Sequence, residues 1–223
     1  MAKVYGIAGE WARVRGVITG LWPLFLGVFA TGFFFAVWFF KSPGLGAVGV
    51  ALSLVGCGIA LQHGWRQTER FFKGARGEEK VAGLLAMLPD SYHVFNDFPA
   101  DGVPVDHVVV GPVGVFAVET KFWSGAVSVE DGRLLVDGCE PDRDPIAQVQ
   151  READLVRATL SARGWTGMVT PVLAFASNVL QSRCCELDGV VVMNASELAH
   201  SFVHGRKVLP MAELDRLAAL MAN

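Results

Sequence analysis

Residues 17–40 read VITGLWPLFLGVFATGFFFAVWFF without one charged side chain. About 24 residues rising 1.5 Å each extend roughly 36 Å as a helix, enough to cross a hydrocarbon core of about 30 Å with some tilt. Trp22 and Trp38 stand near the two ends, where amphipathic rings favour the membrane interface. Pro23 lies near the start, where a missing N–H costs little. Lys41, Ser42 and Pro43 form a short polar break, and a second uncharged run, GLGAVGVALSLVGCGIALQ, follows over residues 44–62. Its glycines Gly46, Gly49, Gly56 and Gly58 allow two membrane helices to approach closely. The pattern predicts a membrane anchor over residues 1–63, a hairpin of transmembrane helices at about 17–40 and 43–62. The first run is longer than the core of a signal peptide and the second follows at once. A buried helix pair in a soluble protein is the alternative, and nothing polar interrupts either run to support it.

Basic residues set the expected orientation. Lys3, Arg13 and Arg15 precede the first run, Arg66, Arg70, Lys73 and Arg76 follow the second, and only Lys41 lies between. The positive-inside rule then places both termini in the cytoplasm, with the chain multi-pass in the cell inner membrane. Residues 64–73 read as a basic juxtamembrane connector able to continue the second helix into water. Its cations suit lipid headgroups; a track for DNA is the competing use.

The remainder, residues 74–223, is long enough for one domain with a sizeable core. The chain carries a net charge of −3 and its acidic excess lies after the anchor, so this part is acidic and lacks the basic footprint of a tight non-specific nucleic-acid binder. Cys57, Cys139, Cys184 and Cys185 make no CxxC pair, which argues against zinc and against a disulfide framework and fits a reducing compartment.

Hydrophobic spacing outlines a mixed α/β (α+β) fold. Val81, Leu84, Leu85 and Leu88 recur at helical spacing, and Pro89-Asp90 stops the run. Residues 92–98 alternate as a strand, 99–104 read as a turn-rich loop, and 105–110 and 115–122 read as strands of a hairpin about Gly111, Pro112 and Gly114. A second hairpin is expected around Asp131-Gly132. Asp144 and Pro145 suit the N-cap and first position of a helix whose apolar face is Ile146, Val149, Ala153, Val156 and Leu160. Strands at 168–176 and 190–193 and helices near 196–203 and 211–221 complete a sheet flanked by helices.

Three charged residues stand out in this frame. Side chains alternate along a strand, so Glu119 and Lys121 share a face, and the hairpin register lets Asp106 lie opposite Glu119. Two neighbouring carboxylates repel, and burial raises the cost. A hard divalent cation relieves both, polarises a phosphoryl oxygen and acidifies a bound water. Glu78, with Glu79 beside it, is placed to add a third carboxylate from the first helix of the domain. The plainer alternative is a structural ion cluster, with Glu78 serving a helix N-terminus. His107 points to the opposite face and suits packing. Phe122 and Trp123 suit core or rim.

The segments GARGEEKVAGLL (74–85), VDHVVVGPVGVFAVETK (105–121) and DPIAQVQ (144–150) resemble the nuclease-related domain (NERD) family of the PD-(D/E)xK nuclease superfamily. The resemblance covers residues 74–179. It implies a restriction-endonuclease-like mixed sheet, with Glu78, Asp106 and Glu119 facing a Mg²⁺ or Mn²⁺ ion and Lys121 as the catalytic lysine. It also implies that Gln148 contacts the phosphate or the site water. The expected function is a membrane-anchored, Mg²⁺-dependent nuclease acting on nucleic acid, DNA in the first instance. A non-catalytic membrane module, using the same fold to bind a partner or nucleic acid, is the alternative, because a fold alone does not establish activity.

Overall fold

The computed structural model describes residues 1–177, 179–182 and 184–222. They divide into two compact units, one of Ala12–Lys73 and one that joins Met1–Trp11 to the chain from Gly74 onward.

The first unit is built from helices α1 (Glu10–Phe40) and α2 (Pro43–Ala86), whose bounds extend beyond the uncharged runs at both outer ends. Lys41 and Ser42 both donate to the Val37 carbonyl, which closes α1, and Pro43 opens α2, where its missing N–H is harmless. The helices pair antiparallel. Gly16 meets Phe71, Gly27 meets Cys57, Gly49 meets Phe34 and Gly46 meets Trp38. A Cβ at Gly27, Gly46 or Gly49 would overlap its neighbour. Gly56 and Gly58 face open space, so only the first pair of α2 glycines named above serves this contact. Thr31 Oγ1 meets Ser53 Oγ at 3.0 Å, and Thr68 Oγ1 donates to the Gly16 carbonyl at 3.0 Å. Pro23 lies inside α1 rather than near its start, because the helix already begins at Glu10. Apolar side chains cover the outer surface, Phe25, Phe29, Phe39, Leu52 and Val55 among them. Both helices are long and apolar enough to cross a membrane.

The second unit is a mixed sheet flanked by helices. Its strands are β1 (Lys3–Tyr5), β2 (His93–Ala100), β3 (Val103–Gly111), β4 (Gly114–Lys121), β7 (Val169–Phe175), β8 (Cys184–Leu187) and β9 (Val190–Asn194), ordered β1-β2-β3-β4-β7-β9-β8. Strands β5 (Val127–Glu130) and β6 (Arg133–Val136) form a separate hairpin. Helices α3 (Pro145–Ala162), α4 (Ala195–His204) and α5 (Met211–Ala222) complete the unit with residues 74–86 of α2. Asp101-Gly102, Asp131-Gly132 and Asp188-Gly189 all have positive φ at both residues, the conformation that tight hairpin turns between right-twisted strands require. Residues 99–104 are therefore not the expected loop. Pro99 pairs with Pro104 and Ala100 with Val103, and only the Asp-Gly dipeptide turns.

The first eleven residues depart most from the sequence expectation, which gave them to the anchor. Lys3–Tyr5 pair in parallel with His93–Phe95 as an edge strand, and Tyr5 stacks on Phe95 with ring centroids 4.5 Å apart. Three residues show no readable alternation, and the pairing spans the whole hairpin in sequence. Strand β8 lies outside the sequence expectation for a similar reason: it is short and, among the described residues, pairs with β9.

One sheet face carries Val94, Val109, Val118 and Val172 against Val81 and Leu85 of α2 and Leu198 of α4. The other carries Val108, Val110, Val115 and Ala117 against Val156 and Leu160 of α3 and Leu217 of α5. Glu119 and Lys121 continue the row of Val115 and Ala117, so they emerge on the α3 side.

Candidate active site

The β3–β4 hairpin does what its turn implied. Gly111 pairs with Gly114 and His107 with Val118, and one step further along this register Asp106 faces Glu119. The Asp106 carboxylate accepts the backbone N–H of Thr120 at 2.8 Å, which ties it to the end of β4. Helix α3 supplies the opposing wall. Asp144 caps it by accepting from the amides of Ile146 (2.9 Å) and Ala147 (3.1 Å), and Pro145 fixes its first turn. That start angle sets Gln148 over β4.

Gln148 sits at the centre of a hydrogen-bonded group. Its Nε2 donates to Glu119 Oε1 at 2.8 Å and its Oε1 accepts from Lys121 Nζ at 2.9 Å. Lys121 Nζ also pairs with Glu119 Oε1. Glu78 arrives from α2. Gly77 makes this approach possible, because a Cβ there would lie 2.8 Å from Phe122 Cβ, just past the end of β4.

Electrostatics binds these groups together. Glu78 is pushed up to about 7, first by burial and then by the charges of Asp97 and Glu119. Asp106 is raised well above the usual carboxylate range by burial and then by Glu119 and Glu78. Each acid shifts because neighbouring negative charge is held in a poorly solvated place. The structure thus brings together Glu78, Asp106, Glu119, Lys121 and Gln148. His107 lies on the other face, fully buried, with Nδ1 2.8 Å from Asn96 Oδ1 and burial lowering it to about 3.

One acid escaped the sequence reading. Glu152 is buried on α3, one turn beyond Gln148, and takes a hydrogen bond from Gln148 Nε2 at 2.8 Å. Burial, then the Glu119 charge, raises it to about 8, and its Oε2 is buried with no hydrogen-bond partner among the described residues. The signal was present: Glu152 falls between Val149, Ala153 and Val156, inside the arc that faces the sheet. The groups able to take a hard cation are the carboxylates of Glu78, Asp106, Glu119 and Glu152. Among the described residues no three His, Cys, Asp or Glu side chains converge to metal-holding geometry; Glu119 is instead engaged by Lys121 and Gln148.

Known proteins give two matches. Residues 73–176 match the nuclease-related domain family. An uncharacterized protein of Bacillus anthracis is 38% identical over 60 residues, covering 24% of this chain. The chain spans 28% of the length of that relative. No solved structure matches. The match encloses every acid named above, and residues 73–176 are accordingly a nuclease-related domain of the PD-(D/E)xK-like superfamily.

Proposed function

We propose that the protein is a membrane-anchored phosphodiesterase that cleaves nucleic acid with the help of a Mg²⁺ or Mn²⁺ ion. The observation that carries this reading is the assembly of Glu119, Lys121 and Gln148 into one hydrogen-bonded group beside Asp106 and Glu78. Carboxylates crowded enough to raise one another have a physical use for a hard cation, and the donor set is all oxygen. The buried Oε2 of Glu152, with no hydrogen-bond partner among the described residues, belongs to the same crowded group through Glu119. Glu78, Asp106 and Glu119 would hold the ion, with Glu152 behind Glu119. When bound, the ion supplies charge neutralisation at the phosphate and an acidified water. Lys121 places a positive charge where negative charge develops on the scissile phosphate. Gln148 fixes Lys121 and Glu119 relative to each other and offers its amide to the phosphate.

Anchoring rests on the apolar windows of α1 and α2, of which only 6% and 11% are buried within the protein. A core helix of a soluble protein would be mostly covered; these leave an apolar exterior for lipid to cover. With the basic residues at both outer ends, both termini and the nuclease-like domain belong in the cytoplasm at the inner membrane.

A non-catalytic binding module is the second reading. It is favoured by the absence of three converged ligands among the described residues and by the acidic charge. The deciding experiment incubates the full-length chain in detergent with supercoiled plasmid, linear DNA or RNA in Mg²⁺, Mn²⁺ or EDTA. Metal-dependent cleavage that disappears in Asp106→Asn is expected. A protein that binds nucleic acid but cuts none of these substrates supports the module instead.

A further inference from the structure

The chain ahead of the hairpin reaches the acidic cluster from its other side. Strand β1 is held by its pairing with β2, by Ala2 N–H on the Ala86 carbonyl (3.2 Å) and by Lys3 N–H on the Tyr92 carbonyl (2.9 Å). Asn96 Nδ2 donates to the Gly6 carbonyl at 3.3 Å, and Asn96 is itself bonded to the buried His107. Gly9, at φ +72°, then turns the backbone against the start of the domain's first helical segment. A Cβ at Gly9 would lie 2.9 Å from both Ala75 Cα and Ala75 Cβ. This approach, one turn before Glu78, sets the Gly9 backbone against the turn of helix that carries Glu78 and close enough to lower its carboxyl against the effect of burial. The next residues are held as well: Asp97 Oδ2 accepts the Trp11 N–H at 3.1 Å. Asp97 adopts φ +48° to do so.

We propose that Gly9 and Asp97 are positioning residues for Glu78, so that the segment before the anchor is a working part of the nuclease-like site. The family match begins at residue 73 and does not include this segment. The inference rests on reading the acids as a divalent-cation site. A ligand carboxylate is only as well placed as the groups that bond to it, and loss of such an outer partner lowers metal affinity by about ten- to a hundredfold.

The test is Mn²⁺ titration of the full-length chain in detergent by calorimetry, alongside Mn²⁺-dependent plasmid cleavage. Gly9→Ala is expected to weaken Mn²⁺ binding by about ten- to a hundredfold, and Asp97→Ala, which removes the acceptor of the Trp11 N–H, to weaken it relative to Asp97→Asn, which keeps an acceptor and removes the same charge. Gly132→Ala, at φ +74° with nothing within 4 Å of the added Cβ, carries the same backbone strain and should bind as wild type. Cleavage by Gly9→Ala and Asp97→Ala should recover when Mn²⁺ is raised by the same factor, with KM for DNA unchanged. Wild-type affinity in both variants, or a loss that excess Mn²⁺ does not restore in a variant that melts cooperatively, overturns the proposal and leaves the site reading intact. A wild-type chain that binds no Mn²⁺ overturns both. Should Gly9→Ala fail to fold, Asp97→Ala against Asp97→Asn decides alone.

Discussion

Gln148 donates its side-chain amide to Glu152 at 2.8 Å, one turn further along the same helix. The same nitrogen reaches Glu119, and the amide oxygen takes Lys121, so one neutral side chain joins two acids and an amine. Gln148→Ala should therefore loosen the group without removing charge. The expected result is a fall of about tenfold or more in the rate of metal-dependent cleavage, with KM for DNA little changed. Steady-state nicking assays check this. An unaltered rate would make Gln148 an ordinary helix residue.

Asp106 separates charge from hydrogen bonding. Asp106→Asn keeps an acceptor for the Thr120 N–H, so β3 and β4 stay in register, but it removes the negative charge. Lys121→Met keeps the apolar stem and removes the cation. Both are expected to lower cleavage by about a hundredfold or more, the scale seen when a group aimed at developing charge is lost. Lys80→Met is the control: Lys80 Nζ donates to the Ala176 carbonyl, and its loss should leave the rate near wild type. Equal activity in all three variants would remove Asp106 and Lys121 from the chemistry.

How far the site was legible depended on local pattern. The Asp106–Glu119 pairing could be read because a glycine-bounded turn fixes a hairpin register, and Asp144-Pro145 announced the helix that carries Gln148. Glu152 is harder to read because a polar residue within an apolar arc resembles the rim of a helix, although its i+4 spacing from Gln148 marks it. Strand β1 left almost no trace, since its partner lies 90 residues away from Lys3 in the register Lys3↔His93. Local propensity holds no record of so distant a pairing. The hairpin helices were plain from uninterrupted hydrophobicity, but which glycines form their contact was set by helix phase and needed coordinates.

The short turn between α1 and α2 offers a direct test of membrane topology. In a chain with its native cysteines replaced by serine, Ser42→Cys should react with a membrane-impermeant maleimide added outside intact cells or spheroplasts. A cysteine restored at the exposed position 139 should react only after permeabilisation. Both basic flanks then lie inside, as the charge asymmetry requires. Labelling of position 139 from outside would overturn the orientation, and labelling of neither position in membranes or detergent would point to burial within protein.

The buried titratable groups predict how stability depends on pH when EDTA removes divalent ions. Glu152 and Glu78 are raised by burial, to about 8 and about 7, so the folded chain keeps protons that the unfolded chain has already lost. Their contribution is fully present below the unfolded value of 4.5 and is lost as pH rises through 7 and 8. His107 works oppositely. Lowered by burial to about 3, it contributes stability above 6.5 that is lost as pH falls toward 3. Asp106, raised in the same way, adds to the alkaline slope, so melting temperature should peak between about pH 4 and 4.5 and decline on both sides. Glu152→Gln cannot ionise, so it should match the wild type near pH 4.5 and exceed it at pH 8, on the order of 1 kcal/mol or more. Adding Mn²⁺ should narrow that gap, because a cation favours the charged carboxylates. Melting curves of the full chain in detergent from pH 4 to 9 supply the measurement. Parallel curves for wild type and Glu152→Gln would mean that Glu152 is solvated rather than held against Glu119.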